Sequence, residues 1–243
     1  MELAQILKGA SWVELAATIL VVLIATLYLL RWTYRFFFSN DSRHESDGII
    51  LLLGPCGSGK TSLFYLWSRS DSGSQKPLLT VTSQSVNRGH VLPENLEVVD
   101  YPGHPRLWHG ALSLVPRAHK IVFLIDATSN INTLKLVAES IYDVLVVKEL
   151  SPSTRVLICR NKTDLKSAIS QEDLVATLNK QIETLRKSRA QELEGDNAAD
   201  QFLGFDDEPF DLTLHSPISI EFGACSVRKG KIGDIERFLR YRS

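Results

Sequence analysis

From Ile49 onward, short apolar runs alternate with longer segments whose apolar residues recur every three or four positions. The runs predict strands over Ile49–Leu53, Leu78–Thr82, Leu96–Asp100, Ile121–Asp126, Val156–Arg160 and Ile218–Phe222. The longer period predicts helices over Thr61–Ser68, Asn130–Lys148, Gln171–Ala190 and Ile232–Arg240, following the 3.6-residue repeat of an amphipathic helix. Strands that alternate with helices indicate an α/β domain with a mostly parallel central sheet of six strands. Several of the runs are apolar throughout rather than at every second position, as in sheets covered on both faces.

The N-terminal pattern differs. Leu15 to Leu30 carries no charged residue, and back to Trp12 only Glu14 is charged. As a helix, the 12–30 stretch would be about 28 Å long, close to the thickness of a bilayer's hydrocarbon core. It has no polar face, so it does not suit a half-buried surface helix. Trp12 and Trp32 bracket it, as interfacial aromatics do. The bulky, basic segment that follows, Arg31 to Phe38, is unlike a signal-peptide cleavage site. We therefore expect residues 1–38 to form a tail and a single transmembrane anchor. A polar tether over 39–47 and a globular domain over 48–243 would follow. Arg31, Arg35 and Arg43 follow the span while only Lys8 precedes it, which places the large domain on the cytosolic side. Met1-Glu2 offers no myristoylation signal and Arg240 to Ser243 no prenylation box, so the apolar helix is the expected anchor.

Composition changes this picture little. The chain is 44% apolar and 23% charged with a net charge of −1, which gives no general nucleic-acid surface. Cys56, Cys159 and Cys225 each lie in or beside an apolar run and are odd in number, so buried thiols in a reducing compartment are expected. No Cys/His cluster has zinc spacing, although His104 and His109 are near neighbours. Residues 192–211 hold many Asp and Glu and no Lys or Arg, and read as a solvated insertion.

The chemistry lies in the loops. Residues 54–61 read Gly-Pro-Cys-Gly-Ser-Gly-Lys-Thr, a full match to G-x-x-x-x-G-K-[ST] between a predicted strand and a predicted helix. In such a loop, Gly54, Pro55, Cys56, Gly57, Ser58, Gly59, Lys60, Thr61 and Ser62 would wrap backbone N–H groups around phosphate oxygens at a helix N-terminus. Lys60 would reach the β- and γ-phosphates, and the Thr61 hydroxyl would ligate Mg²⁺. About forty residues on, Asp100-Tyr101-Pro102-Gly103-His104 ends a strand. Asp100 can hold the Mg²⁺ shell through water, and Gly103 can bring its N–H to the γ-phosphate. Asn161-Lys162-Thr163-Asp164 ends a later strand. The Asp164 carboxylate can accept from guanine N1–H and N2–H₂, which adenine does not offer, so it selects GTP and GDP over adenine nucleotides. The Lys162 stem can lie over the base, and Asn161 can tie the loop together. After the last strand, Ala224-Cys225-Ser226-Val227-Arg228 could present the N–H groups of Ser226 and Val227 to guanine O6.

These elements, in this order, resemble the Ras-like small-GTPase superfamily across residues 48–243. The resemblance implies a first-switch threonine that closes on Mg²⁺ and γ-phosphate. Thr82 is the expected residue, with Thr80 the competing one. Within the superfamily, the N-terminal anchor, the loop Leu51 to Leu63, the Asp100 to His104 switch and the Thr-Ser pair resemble the β subunits of the signal recognition particle receptor. That likeness implies a single-pass protein of the endoplasmic reticulum membrane with a cytosolic GTPase domain. In its GTP state it would recruit the receptor α subunit through that subunit's N-terminal domain and so bring ribosomes to the translocon. It implies no direct contact with nucleic acid. His104 stands where relatives carry the water-positioning residue. No arginine finger is evident in cis, so hydrolysis would be slow at most. The alternative is an Arf- or Rab-like GTPase of vesicle traffic, although the Arf-type Gly-Gly-Gln switch and the Rab-type C-terminal cysteines are absent.

Overall fold

The computed structural model describes residues 48–68, 83–91, 96–192, 203–205 and 207–240, together with Thr26. The chain divides into two units, Met1–Asp47 and Gly48–Ser243. The expected span over 12–30, the tether over 39–47, the expected strand over 78–82 and both switch threonines lie outside the described residues. Among the described residues, no helix is long and apolar enough to cross a membrane.

The second unit is built on a six-stranded sheet. Its strands are β1 (Ile49–Leu53), β2 (Asn87–Val91), β3 (Leu96–Asp100), β4 (Ala118–Asp126), β5 (Arg155–Asn161) and β6 (Ser219–Ala224). Their spatial order is β2-β3-β1-β4-β5-β6. The β2–β3 pair is antiparallel, and every other pair is parallel. The mostly parallel reading holds. Strand β2 escapes sequence analysis because Asn-Arg-Gly-His-Val shows neither an apolar run nor clean alternation. It is an edge strand, held by its ladder to β3 rather than by burial of its side chains.

Strand β1 shows why the central runs are apolar at every position. Ile49, Leu51 and Leu53 enter one core, while Ile50 and Leu52 enter the other. The first core is closed by α3 (Ile131–Leu145) and α4 (Gln171–Glu192), and the second by α1 (Lys60–Ser68) and α5 (Gly233–Arg240). A short helix, α2 (Trp108–Leu112), follows β3. Helix α3 starts where Asn130 Oδ1 accepts the Thr133 N–H at 2.9 Å, which satisfies one of the free donors of the first turn. It then buries Leu134, Val137, Ala138, Ile141 and Leu145 along one stripe. Ser170 caps α4 in the same way, accepting the Asp173 N–H at 3.0 Å.

The buried stripe of α4 runs Leu174, Leu178, Ile182 and then Arg186, whose side chain is fully buried. Arg186 donates to Leu203 O at 3.0 Å, to Phe205 O at 2.8 Å and to Glu208 O. Its Nε lies 2.8 Å from Glu183 Oε2, and the same carboxylate oxygen accepts the Phe210 N–H at 2.8 Å. These contacts tie the described part of 192–211 to the domain through its backbone, while the side chains of Phe205, Asp207 and Glu208 are exposed. Glu192 ends α4, and Leu203 and Phe210 are buried. An arginine inside the core must find acceptors, and backbone carbonyls of 203–208 supply them.

Cys159 and Cys225 are buried as expected, but Cys56 is exposed in its loop. The Cys159 thiol is pushed up by its hydrogen bond with Cys225 and by burial, so it is held protonated.

Candidate functional site

The sheet order places β1 between β3 and β4. The loops that leave the carboxyl ends of β1, β3, β5 and β6 therefore meet at one edge, where α/β sheets hold their ligands.

The 54–59 loop curls between β1 and α1. Lys60 Nζ donates to Gly54 O at 2.7 Å and to Pro55 O at 2.9 Å, drawing the loop around itself. Burial lowers the Lys60 pKa to about 8, with the Asp100 and Cys56 charges opposing that shift. Gly59 sits at φ +98°, and a Cβ there would come within 2.3 Å of Asn161 Nδ2. Only glycine allows both the turn and that approach. The contact matters because Asn161 Nδ2 donates to Ser58 O at 2.7 Å and so joins the β5 loop to the β1 loop. The structure also places Gly103 against this loop. A Cβ there would meet Gly54 O at 2.4 Å and Cys56 N at 2.6 Å.

Thr61 Oγ1 donates to Asp100 Oδ2 at 2.8 Å. Its single proton is spent there, so the Ser83 hydroxyl, 2.9 Å away, must donate to Thr61. Asn87 Nδ2 also donates to Asp100 Oδ2, at 2.8 Å. Sequence reasoning missed Ser83 and Asn87. Neither belongs to a short motif, and Asn87 reaches Asp100 only because β2 and β3 pair in antiparallel register. Among the described residues, Asp100 Oδ1 and Ser58 Oγ are buried without a hydrogen-bond partner. A carboxylate oxygen and a hydroxyl left unpaired beside a phosphate-loop lysine fit a hydrated divalent cation and a phosphate chain.

At the guanine end, Asp164 Oδ1 accepts the Ser226 O–H at 2.7 Å, and Oδ2 lies 3.5 Å from Lys229 Nζ. The Ser226 hydrogen bond, helped by Lys229, holds the Asp164 carboxyl below the usual carboxylate range. Thr163 Oγ1 donates to Cys225 O at 2.8 Å, stitching the β5 and β6 loops together. The Ser226 N–H bonds Lys231 O at 2.9 Å, and the Val227 N–H bonds Asn161 Oδ1 at 3.0 Å. Both donors have partners within the protein. The Ser226 hydroxyl is the group that holds Asp164. Lys162 Nζ pairs with Asp126 Oδ2 at 2.6 Å.

His104 caps the short turn Pro105–Leu107, and its Nδ1 accepts the Arg106 N–H at 3.2 Å. An accepting Nδ1 leaves the proton of a neutral ring on Nε2. Nearby, Trp108 Nε1 donates to Asp143 Oδ2 at 2.9 Å, tying the segment after β3 to α3.

A phosphate loop, an aspartate that receives its threonine, and a base loop clasped onto both define a P-loop domain of the small-GTPase fold. The description of the protein family that matches residues 45–216 is signal recognition particle receptor beta subunit. The chain belongs to this family. It is 32% identical to the human signal recognition particle receptor subunit beta, over 91% of this chain and 86% of that one. It is also similar to the solved mammalian SRP receptor, with a TM-score of 0.66 at 30% identity over 79% of this chain and 97% of that one. The SRb-GTP/SRX complex from Chaetomium thermophilum shares the fold, with a TM-score of 0.61 at 19% identity, over 80% of this chain and 99% of that one.

Proposed function

We propose that this chain is a membrane-anchored subunit of the signal recognition particle receptor that binds GTP and GDP with Mg²⁺ and recruits the receptor α subunit in its GTP state. The observation that carries the nucleotide reading is the clasp at Asn161, whose side chain joins the phosphate loop to the loop of Asp164. Gly54 to Ser62 would hold the phosphates, with Gly103 supporting the loop. Thr61 and, through water, Asp100 would hold the cation. Asn161, Lys162 and Asp164 would hold the base. A first-switch threonine, Thr82 or Thr80, would complete the cation shell. The bound cation would draw charge off the phosphate oxygens, while this chain's own groups bind and orient them.

The relatives support the rest of the reading. The Chaetomium protein was solved with GTP and a partner, SRX. The apolar stretch over 12–30 supports anchoring, and the arginines after it support a cytosolic domain in the endoplasmic reticulum membrane. Ribosome and translocon would be met through the α subunit. Residues 1–38 fused to a reporter should resist carbonate extraction and leave the reporter cytosolic. A glycosylated reporter would invert the proposed topology.

Recruitment tests the switch. Lys60→Ala removes the cation at the phosphates, and Thr61→Asn removes the hydroxyl that bonds Asp100. Membranes carrying either variant should lose GTP binding and capture of the α subunit's N-terminal domain together. Capture that survives loss of GTP binding overturns the switch reading.

Lys60 also sets a pH dependence. Nearby phosphate charge raises a lysine's pKa, so from a starting value of about 8 binding takes up a proton at higher pH. GTP affinity should be level below pH 8 and fall by up to about tenfold per pH unit above it. Titrations from pH 6.5 to 9 would show this, and a level profile would refute it.

Hydrolysis should be slow, at or below roughly 10⁻⁴–10⁻³ s⁻¹ without a partner. A His104 ring with its proton on Nε2 can orient a water but cannot accept its proton there.

A further inference from the structure

Asp126 ends β4 and belongs to no motif of the sequence, yet it faces the base loop. Its two carboxylate oxygens have separate tasks. Oδ1 accepts the Thr128 N–H at 2.9 Å and the Thr128 hydroxyl at 2.8 Å. Oδ2 pairs with Lys162 Nζ at 2.6 Å. Thr128 therefore fixes the carboxylate, and the carboxylate fixes the lysine head.

Lys162 is also the one non-glycine residue at positive φ among the described residues, at 64°. A side chain is held in that region only where its surroundings compensate, and such outliers cluster at ligand sites. Two contacts compensate here. Asn161 Oδ1 accepts the Lys162 N–H at 2.8 Å, and Asp126 takes the far end of the side chain. Anchored at both ends, the four-carbon stem cannot sample the many rotamers open to a free lysine.

We propose that Asp126 is a positioning residue for purine binding, which clamps the Lys162 ammonium so that the lysine stem forms a fixed apolar floor under the base. This rests on the guanine-nucleotide reading above. Asp126 touches no part of the nucleotide. Its effect falls on the base rather than on the phosphates, and passes entirely through Lys162.

The variant that isolates the clamp is Asp126→Asn. Its amide oxygen keeps the acceptor for Thr128, but its NH₂ then faces an ammonium that can only donate. Lys162→Met is the companion, since methionine keeps an apolar stem without a charge. Dissociation of GDP from the full chain in detergent would be followed in four proteins: unmodified, each single variant and the double variant. We expect Asp126→Asn to speed dissociation about fivefold, the scale of a partly exposed ion pair. High salt should narrow that gap by screening the pair. In the Lys162→Met background, Asp126→Asn should change nothing, and the melting temperature of Asp126→Asn should match the unmodified chain. Equal rates for Asp126→Asn and the unmodified chain would overturn the clamp. So would a fivefold effect that persists without Lys162, which would mean the strand end itself is distorted. An unmodified chain that holds ADP as tightly as GDP would instead overturn the guanine reading on which the clamp rests.

Discussion

Asp164→Asn is expected to move the base preference of this protein from guanine to xanthine. The carboxylate offers two acceptors, which match guanine N1–H and N2–H₂. The amide offers one acceptor and one donor, which match xanthine's N1–H and its C2 carbonyl. In the structure the Asp164 carboxylate is already oriented, by Ser226 O–H at 2.7 Å on Oδ1 and by Lys229 Nζ at 3.5 Å from Oδ2. Those neighbours would orient the amide too. Lys229 can only donate, so it favours the amide oxygen on its side, while the Ser226 hydroxyl can accept from the NH₂. The mismatch with guanine is then held in place rather than relaxed. GTP affinity should fall by roughly 10²-fold or more, and XTP should gain. Competition binding of GTP, XTP and ATP to the full chain would measure both changes. A uniform loss for all three nucleotides would mean that Asp164 holds the loop and does not read the base.

Arg186→Leu should destabilise the domain by about 3–5 kcal/mol, the cost of removing one member of a buried charged network. Leucine continues the apolar stripe of Leu174, Leu178 and Ile182, so the loss does not come from a poor helix former. It comes from the acceptors left behind. The carbonyls of Leu203, Phe205 and Glu208 lose their donor, and Glu183 loses one of its partners. Thermal melting should drop on the order of 10 °C for a domain of this size. The acid limb of stability should change as well. Burial works against the Glu183 charge, but Lys187, Arg186 and the Phe210 N–H overcome it and hold its pKa at about 2. A depressed carboxylate stabilises the fold above its ordinary pKa of about 4.5, and that contribution is lost as pH falls toward 2. Without Arg186 part of it is missing at neutral pH, and the difference between variant and unmodified chain should narrow below pH 4. An unchanged melting temperature would show that other contacts pin residues 203–210.

Much of this site is legible along the chain because its chemistry is local. The phosphate loop and the Asn161 to Asp164 element are short strings in which backbone turn, donor and acceptor sit within a few residues. Their strands are legible too, since a strand buried on both faces must be apolar at every position. What failed was non-local. Strand β2 lacks such a pattern because its ladder, not its side chains, holds it. Asn87 and Asp126 become part of the site through the β2–β3 and β4–β5 pairings, and Ser83 through its contact with Thr61. Nor does local pattern show that the N–H groups of Ser226 and Val227 bond Lys231 O and Asn161 Oδ1.

The sequence by itself determined the α/β class, the order of the loops and the residue types proposed to face phosphate and base. Each of these depends on periodicity or on spacing between neighbours. Only the tertiary structure decided that an arginine could lie in the core stripe of α4, because its acceptors come from the separate segment 203–208. Only it decided that Asn161 locks the phosphate loop, because β1 and β5 carry their ends to one edge of the sheet on either side of β4. A buried polar group is defined by its partner, and a partner a hundred residues away leaves no mark on local pattern.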